Sequence, residues 1–245
     1  MAARNEIISF ANELLDLDAF SDYGPQGLQV VGAEEVTRVV CAVSASLELF
    51  ERAAAADAQL VIVHHGLLWE NEPRVIDRRM RRRLQTLFGA DLNLAAYHLA
   101  LDAHPEIGNN ALLARELGVE ADGPFLEWGI GGRVAATLDE FLDRVREKVN
   151  PEPLVFAEGP TELARVAILS GGAARYFAEA AAQGYDLYLT GEAAEPTLHA
   201  ARELGVTFVA AGHYATEKLG VQALTARLAE RFALEWEFVE LPNPV

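Results

Sequence analysis

Short apolar runs alternate with stretches of helical period along this chain, and that alternation restricts its fold more than any other feature. The runs at residues 38–43, 60–63, 92–97, 131–136, 165–169, 187–190, 207–211 and 235–240 have the length and apolar content of buried strands. Between them, apolar residues three and four apart predict helices at 5–15, 47–56, 138–149, 173–183, 196–204 and 216–232. The chain is therefore expected to be α/β, with two α/β lobes whose mixed sheets are flanked by helices. A cluster of glycines with Pro124 between Asp122 and Gly132 predicts the seam. Residues 1–125 and 126–245 then form the N- and C-terminal lobes, with Trp128 expected to help them pack.

The run at 60–63 ends abruptly in His64, His65 and Gly66. Two imidazoles at the end of a buried strand are costly unless something binds them, and a metal is the first candidate. The opposing reading is a pair of surface or hydrogen-bonded core histidines. The run at 92–97 leads into His98 and then Asp102, and the run at 207–211 leads into Gly212 and His213, with Glu217 four residues on. Residues four apart share one face of a helix, a spacing that suits ligation. In open α/β sheets ligands gather beyond the carboxyl ends of strands.

His64, His65, Asp102, His213 and Glu217 supply three imidazoles and two carboxylates. One divalent ion rarely needs so many ligands; two ions about 3.5–4 Å apart would use them economically, with the two oxygens of Glu217 suited to bridging. The nitrogen and oxygen donors suit Zn, Mn, Fe, Co or Ni and do not choose among them. His104, which precedes Pro105, is read as structural or peripheral, and Gly108, Asn109 and Asn110 as a turn and helix cap. Ser170, Gly171 and Gly172 read as a tight strand-to-helix turn, with an anion-binding nest as the alternative. Glu192 lies at another strand end, where it would act behind the ligands or as a base.

Five segments match a known pattern: GPQGLQV from Gly24, VIVHHGLLW from Val61, YHLALDAHPEIGNN from Tyr97, YLTGE from Tyr188 and AAGHYATEKLG from Ala210. In this order they resemble the Nif-three-like dinuclear metal centre family, whose members are often labelled GTP cyclohydrolase I type II homologues. The length is similar to that of the short bacterial form. The resemblance implies a Nif-three-like fold with the metal site in a cleft at strand ends. It places two metals on the positions of His64, His65, Asp102, His213 and Glu217, with His98 beside them. It also implies a toroidal homohexamer built as a trimer of dimers. Leu99, Ala100 and Leu101 stand before Asp102 where longer members often carry threonine and asparagine.

Function is bounded from several sides. A net charge of −17 repels phosphate backbones and argues against a general nucleic-acid binder. The dense basic cluster, Arg78, Arg79, Arg81, Arg82 and Arg83, is expected on the outer face of a helix whose Met80, Leu84 and Leu87 point inward. Such a face is either solvated, a subunit contact, or a collector of a small anionic substrate. The apolar runs fall short of the roughly 20 residues of a membrane span. With an acidic N-terminal helix and a lone cysteine, Cys41, a cytoplasmic setting without a membrane is expected. The leading expectation is a metal-dependent hydrolase on a nucleotide-like substrate such as GTP, with His98 as the catalytic proton shuttle. The alternative is a non-catalytic metal-binding scaffold or regulator that engages a macromolecule.

Overall fold

The computed structural model describes residues 1–72 and 74–245. In chain order the elements are β1 (Ala2–Ala3), α1 (Arg4–Leu14), β2 (Gly27–Val30), β3 (Glu35–Val36), β4 (Arg38–Ser44), α2 (Leu47–Ala55), β5 (Leu60–His65), α3 (Arg78–Gly89), β6 (Asn93–Ala96) and α4 (Leu99–Ala103). Then come α5 (Asn109–Glu116), β7 (Glu120–Phe125), β8 (Gly129–Thr137), α6 (Leu138–Lys148), β9 (Leu154–Phe156), β10 (Glu162–Ile168), α7 (Phe177–Ala182) and β11 (Leu187–Thr190). The series ends with α8 (Thr197–Leu204), β12 (Thr207–Ala210), α9 (His213–Thr216), α10 (Lys218–Phe232) and β13 (Glu235–Phe238). Two compact units result, Met1–Leu101 with Gly220–Leu241, and Asp102–Leu219 with Pro242–Val245.

The first unit holds a five-stranded sheet in the order β13-β4-β5-β6-β2, with β1 and β3 forming a separate antiparallel pair. The strands β13, β4, β5 and β6 run parallel, and β2 closes one edge antiparallel. Parallel strands covered on both faces must be apolar throughout, which is why β4 and β5 read as unbroken runs. Val40, Ala42, Val61, Val63, Leu94 and Ala96 face a core completed by Leu49, Phe50 and Ala53 of α2 and Leu87 of α3. Met80 and Leu84 pack against the same core. Four of the neighbouring arginines, Arg78, Arg79, Arg81 and Arg82, are exposed, as the spacing predicts. The side chains of Ser46 and Asp77 cap α2 and α3 by accepting from the amides of Leu49 and Met80.

The second unit is built on a six-stranded sheet, β7-β8-β10-β11-β12-β9, in which β10, β11 and β12 are parallel and the flanking strands antiparallel. Alternate residues feed two cores: Val166, Ile168, Leu187, Leu189 and Val209 on one face, Ala167, Tyr188 and Phe208 on the other. Thr137 and Glu140 form a reciprocal capping box at the start of α6.

The division of the chain differs from the expected seam. The glycines and Pro124 belong to the β7–β8 hairpin, where Phe125 pairs with Gly129 and Leu126 adopts a left-handed φ of 58°. A tight hairpin and a flexible linker draw on the same residues, so composition alone did not separate them. Trp128 packs inside the second unit, its ring 6.1 Å from that of Tyr176. The helix expected at 173–183 is a 3-10 turn, Ala174–Tyr176, followed by α7. The helix expected at 216–232 is two helices, broken at Glu217.

Candidate metal centre

In the first unit β5 runs through both histidines, pairing Ser44 with His65. Gly66 then turns the chain; a Cβ there would collide with the side chain of Gln29, whose Oε1 accepts from the Leu67 amide at 2.7 Å. His64 is fully buried, and its Nδ1 lies 2.9 Å from the carbonyl of Tyr97. A carbonyl only accepts, so Nδ1 of His64 carries the proton and Nε2 the lone pair. His65 Nδ1 meets the hydroxyl of Ser44 at 3.1 Å. His98 Nδ1 meets Oδ1 of Asp22 at 2.8 Å. Each of the three rings is thus oriented through Nδ1, and one ring nitrogen from each lies within 4.8 Å of the others. Metal-binding imidazoles are held as His64 and His65 are, by a partner on the nitrogen that does not ligate.

The Asp22 side chain is tucked under the loop that precedes β2, 3% exposed. Burial pushes its carboxyl upward, but the hydrogen bond and charge of His98 and the amides of Leu99 and Tyr23 outweigh this and hold it below the usual carboxylate value.

In the second unit, Asp102 sits near the end of α4 with Oδ1 accepting from the Asn109 side chain at 2.8 Å and the Ser170 hydroxyl at 3.1 Å. Asn110 ties the surrounding backbone together: its amide group donates to the carbonyls of Asp102 and Trp128, and its Oδ1 accepts from the Ser170 amide. Both asparagines are fully buried, so they do more than form the expected turn and cap, and the cap position itself is Gly108. His104 is structural, its Nδ1 accepting from the amides of Glu106 and Ile107.

The parallel strands β10, β11 and β12 end side by side, and a row of glycines continues beyond them. The Gly191 amide donates to the Gly171 carbonyl at 2.8 Å, and the Gly212 amide to the Gly191 carbonyl at 2.9 Å. A Cβ on Gly191 would lie 2.6 Å from Cα of His213, and one on Gly171 would collide with Oε1 of Glu217. The row leaves room for α9 and the break after it. His213 opens α9, and Glu217, almost fully buried, occupies the break with φ −116°. The Gly171 amide donates to Oγ1 of Thr216, so that amide is taken up in packing.

His213 and Glu217 meet as their spacing predicts, Nε2 to Oε2 at 3.1 Å, while Glu192 takes Nδ1 of His213. Burial lowers the His213 pKa, but Glu217 and Glu192 overcome it and push the imidazole up to about 9. Carboxylate oxygens of Asp102 and Glu217 lie within 4.8 Å of each other. Two carboxylates this close repel unless a cation or proton lies with them. The donor sets of both units therefore suit a divalent ion. Asp22, Ser44, Asn109 and Ser170 are the supporting residues that sequence reasoning missed. Only the strand-end position of Ser170 offered a signal.

The sequence profile described as Duf34/NIF3 (NGG1p interacting factor 3) matches residues 2–244. A Pseudomonas aeruginosa protein named "GTP cyclohydrolase 1 type 2 homolog" is 45% identical over 250 residues, covering 99% of this chain and 98% of its own. Among solved structures, "protein ybgI, unknown function" superposes with a TM-score of 0.96 at 41% identity, covering 100% of both chains. TTHA1606 from Thermus thermophilus superposes with a TM-score of 0.94 at 36% identity, again covering 100% of both. With a profile match over residues 2–244 and full-length similarity in both sequence and fold, the chain belongs to the Duf34/NIF3 family.

Proposed function

We propose that this chain is a metal-dependent hydrolase that holds two divalent ions with His64, His65, Asp102, His213 and Glu217 and acts on a nucleotide-like substrate. The observation that carries the reading is the common orientation of the histidines of the first unit, each anchored through Nδ1 by a carbonyl, a hydroxyl or a carboxylate. The caged carboxylate of Asp102 and the buried Glu217 support it from the second unit. When bound, the ions supply Lewis acidity that lets water attack near neutral pH.

The residues of the chain do the rest. Ser44, Tyr97, Asn109, Ser170 and Glu192 orient the donors, and His98 moves the proton. The exposed arginines of α3 gather an anionic substrate. The cyclohydrolase wording in the names of the relatives supports a purine nucleotide such as GTP, whose imidazole ring water would open. A homohexamer, a trimer of dimers, belongs to the same proposal.

The test is turnover of a panel of nucleotides and phosphoesters by the Mn-, Zn- or Fe-loaded protein. Hydrolysis that disappears in both His65→Ala and Glu217→Ala, with fold and assembly retained, supports the enzyme. No turnover across the panel would leave the metal-binding scaffold as the better reading.

A further inference from the structure

We propose that Asp22 is a positioning residue that fixes His98 as the Nδ1–H tautomer and so presents the Nε2 lone pair as a proton acceptor beside His64 and His65. The use of that acceptor in catalysis rests on the hydrolase reading; the tautomer does not. The Asp22 side chain is 3% exposed and both of its oxygens are engaged. Oδ1 accepts from the Tyr23 amide at 2.6 Å and faces His98 Nδ1 at 2.8 Å, while Oδ2 accepts from the Leu99 amide at 3.0 Å. A carboxylate that takes donors on both oxygens is an acceptor only, so the ring nitrogen opposite it must donate.

The ring is also held against rotation. The indole of Trp69 stands at 89° to His98 with centroids 5.2 Å apart, and Trp69 is itself pinned by its Nε1 donating to the Gly66 carbonyl at 3.1 Å. Oε1 of Gln26 accepts from the His98 amide at 3.2 Å and fixes the backbone below the ring.

The partner of His98 also distinguishes it from its neighbours. His64 Nδ1 is held by a carbonyl and His65 Nδ1 by a hydroxyl. His98 Nδ1 is held by the Asp22 carboxylate, and a carboxylate behind an imidazole selects its tautomer. His98 stands 4.9 Å from His64 and 5.5 Å from His65 between ring centroids, next to the proposed ligands. In the reaction the proton leaves the attacking water for Nε2 as the water oxygen bonds to the substrate. The imidazolium then returns that proton to the departing atom, and Nδ1–H stays on Asp22 throughout.

The test is nitrogen NMR of the full chain labelled with 15N-histidine, metal-free and zinc-loaded, with the His98 signals identified by their loss in His98→Gln. The expected spectrum shows a protonated Nδ1 and an unprotonated Nε2, and Asp22→Asn abolishes that pattern. A protonated Nε2 in the wild type, or an unchanged tautomer in Asp22→Asn, overturns the proposal. In the turnover assay Asp22→Asn is expected to lower kcat by about 100-fold with bound metal unchanged, and to cost nothing further in a His98→Gln background. An additional loss in that background overturns the positioning role even if one variant folds poorly. A wild type without turnover overturns the hydrolase reading, while the spectrum still decides the tautomer.

Discussion

The hydroxyl of Ser170 donates to Oδ1 of Asp102 at 3.1 Å, tying the end of a sheet strand to the carboxylate that closes α4. Asn109 donates to the same oxygen at 2.8 Å, so two buried donors fix the plane of one carboxylate. Ser170→Ala and Asn109→Ala are each expected to weaken metal binding by about 10- to 100-fold, as loss of an outer partner does at other metal sites. Calorimetric titration with zinc checks this, and affinities equal to wild type would show that the cage is irrelevant to binding.

Gly171 combines a φ of +68° with a Cβ position blocked by Glu217. Gly171→Ala is expected to destabilise the fold by about 1–3 kcal/mol through backbone strain and to displace the Glu217 carboxylate. Urea unfolding and bound-metal content measured on the same sample test the two effects together. A variant with wild-type stability and full metal content would contradict the packing described for this turn.

Burial, partly offset by a hydrogen bond with Thr225, pushes the Cys41 thiol up to about 12 from its ordinary 9.0. The unfolded thiol ionises first as pH rises, so the contribution is fully present below pH 9 and is lost progressively between 9 and 12. Burial raises Tyr97 and Tyr188 in the same direction. The expected result is a urea midpoint that falls over this range, less steeply in Cys41→Ala, and a native thiol that resists aromatic disulfide reagents at pH 9. Rapid labelling of the folded chain would contradict the burial.

Light scattering at neutral pH is expected to give six times the 26.6 kDa mass of one chain. A monomer at all concentrations would remove the ring from the proposal.

Much of this was legible in the sequence, and the reasons are local. The parallel strands β4, β5, β11 and β12 announce themselves because burial on both faces demands apolar residues without interruption. Edge strands carry no such demand, so β2 and β7, whose sequences mix polar residues and glycine, escape notice. The spacing of His213 and Glu217 reads as one helical turn, and the structure keeps it even though the helix breaks at Glu217. Two of the partners behind the donors were hidden because they arrive from distant segments: Asp22 reaches His98 across 76 residues, and Ser170 reaches Asp102 across 68. No periodicity links such residues; only the folded backbone does.

The proposed dinuclear centre draws on His64, His65, Asp102, His213 and Glu217. Anomalous diffraction from zinc-loaded crystals tests it most directly, with elemental analysis of the same protein. Two peaks per chain are expected, each within about 2.0–2.2 Å of these nitrogen and oxygen donors. Metal-replete protein without peaks there, or with zinc bound only elsewhere, would contradict it.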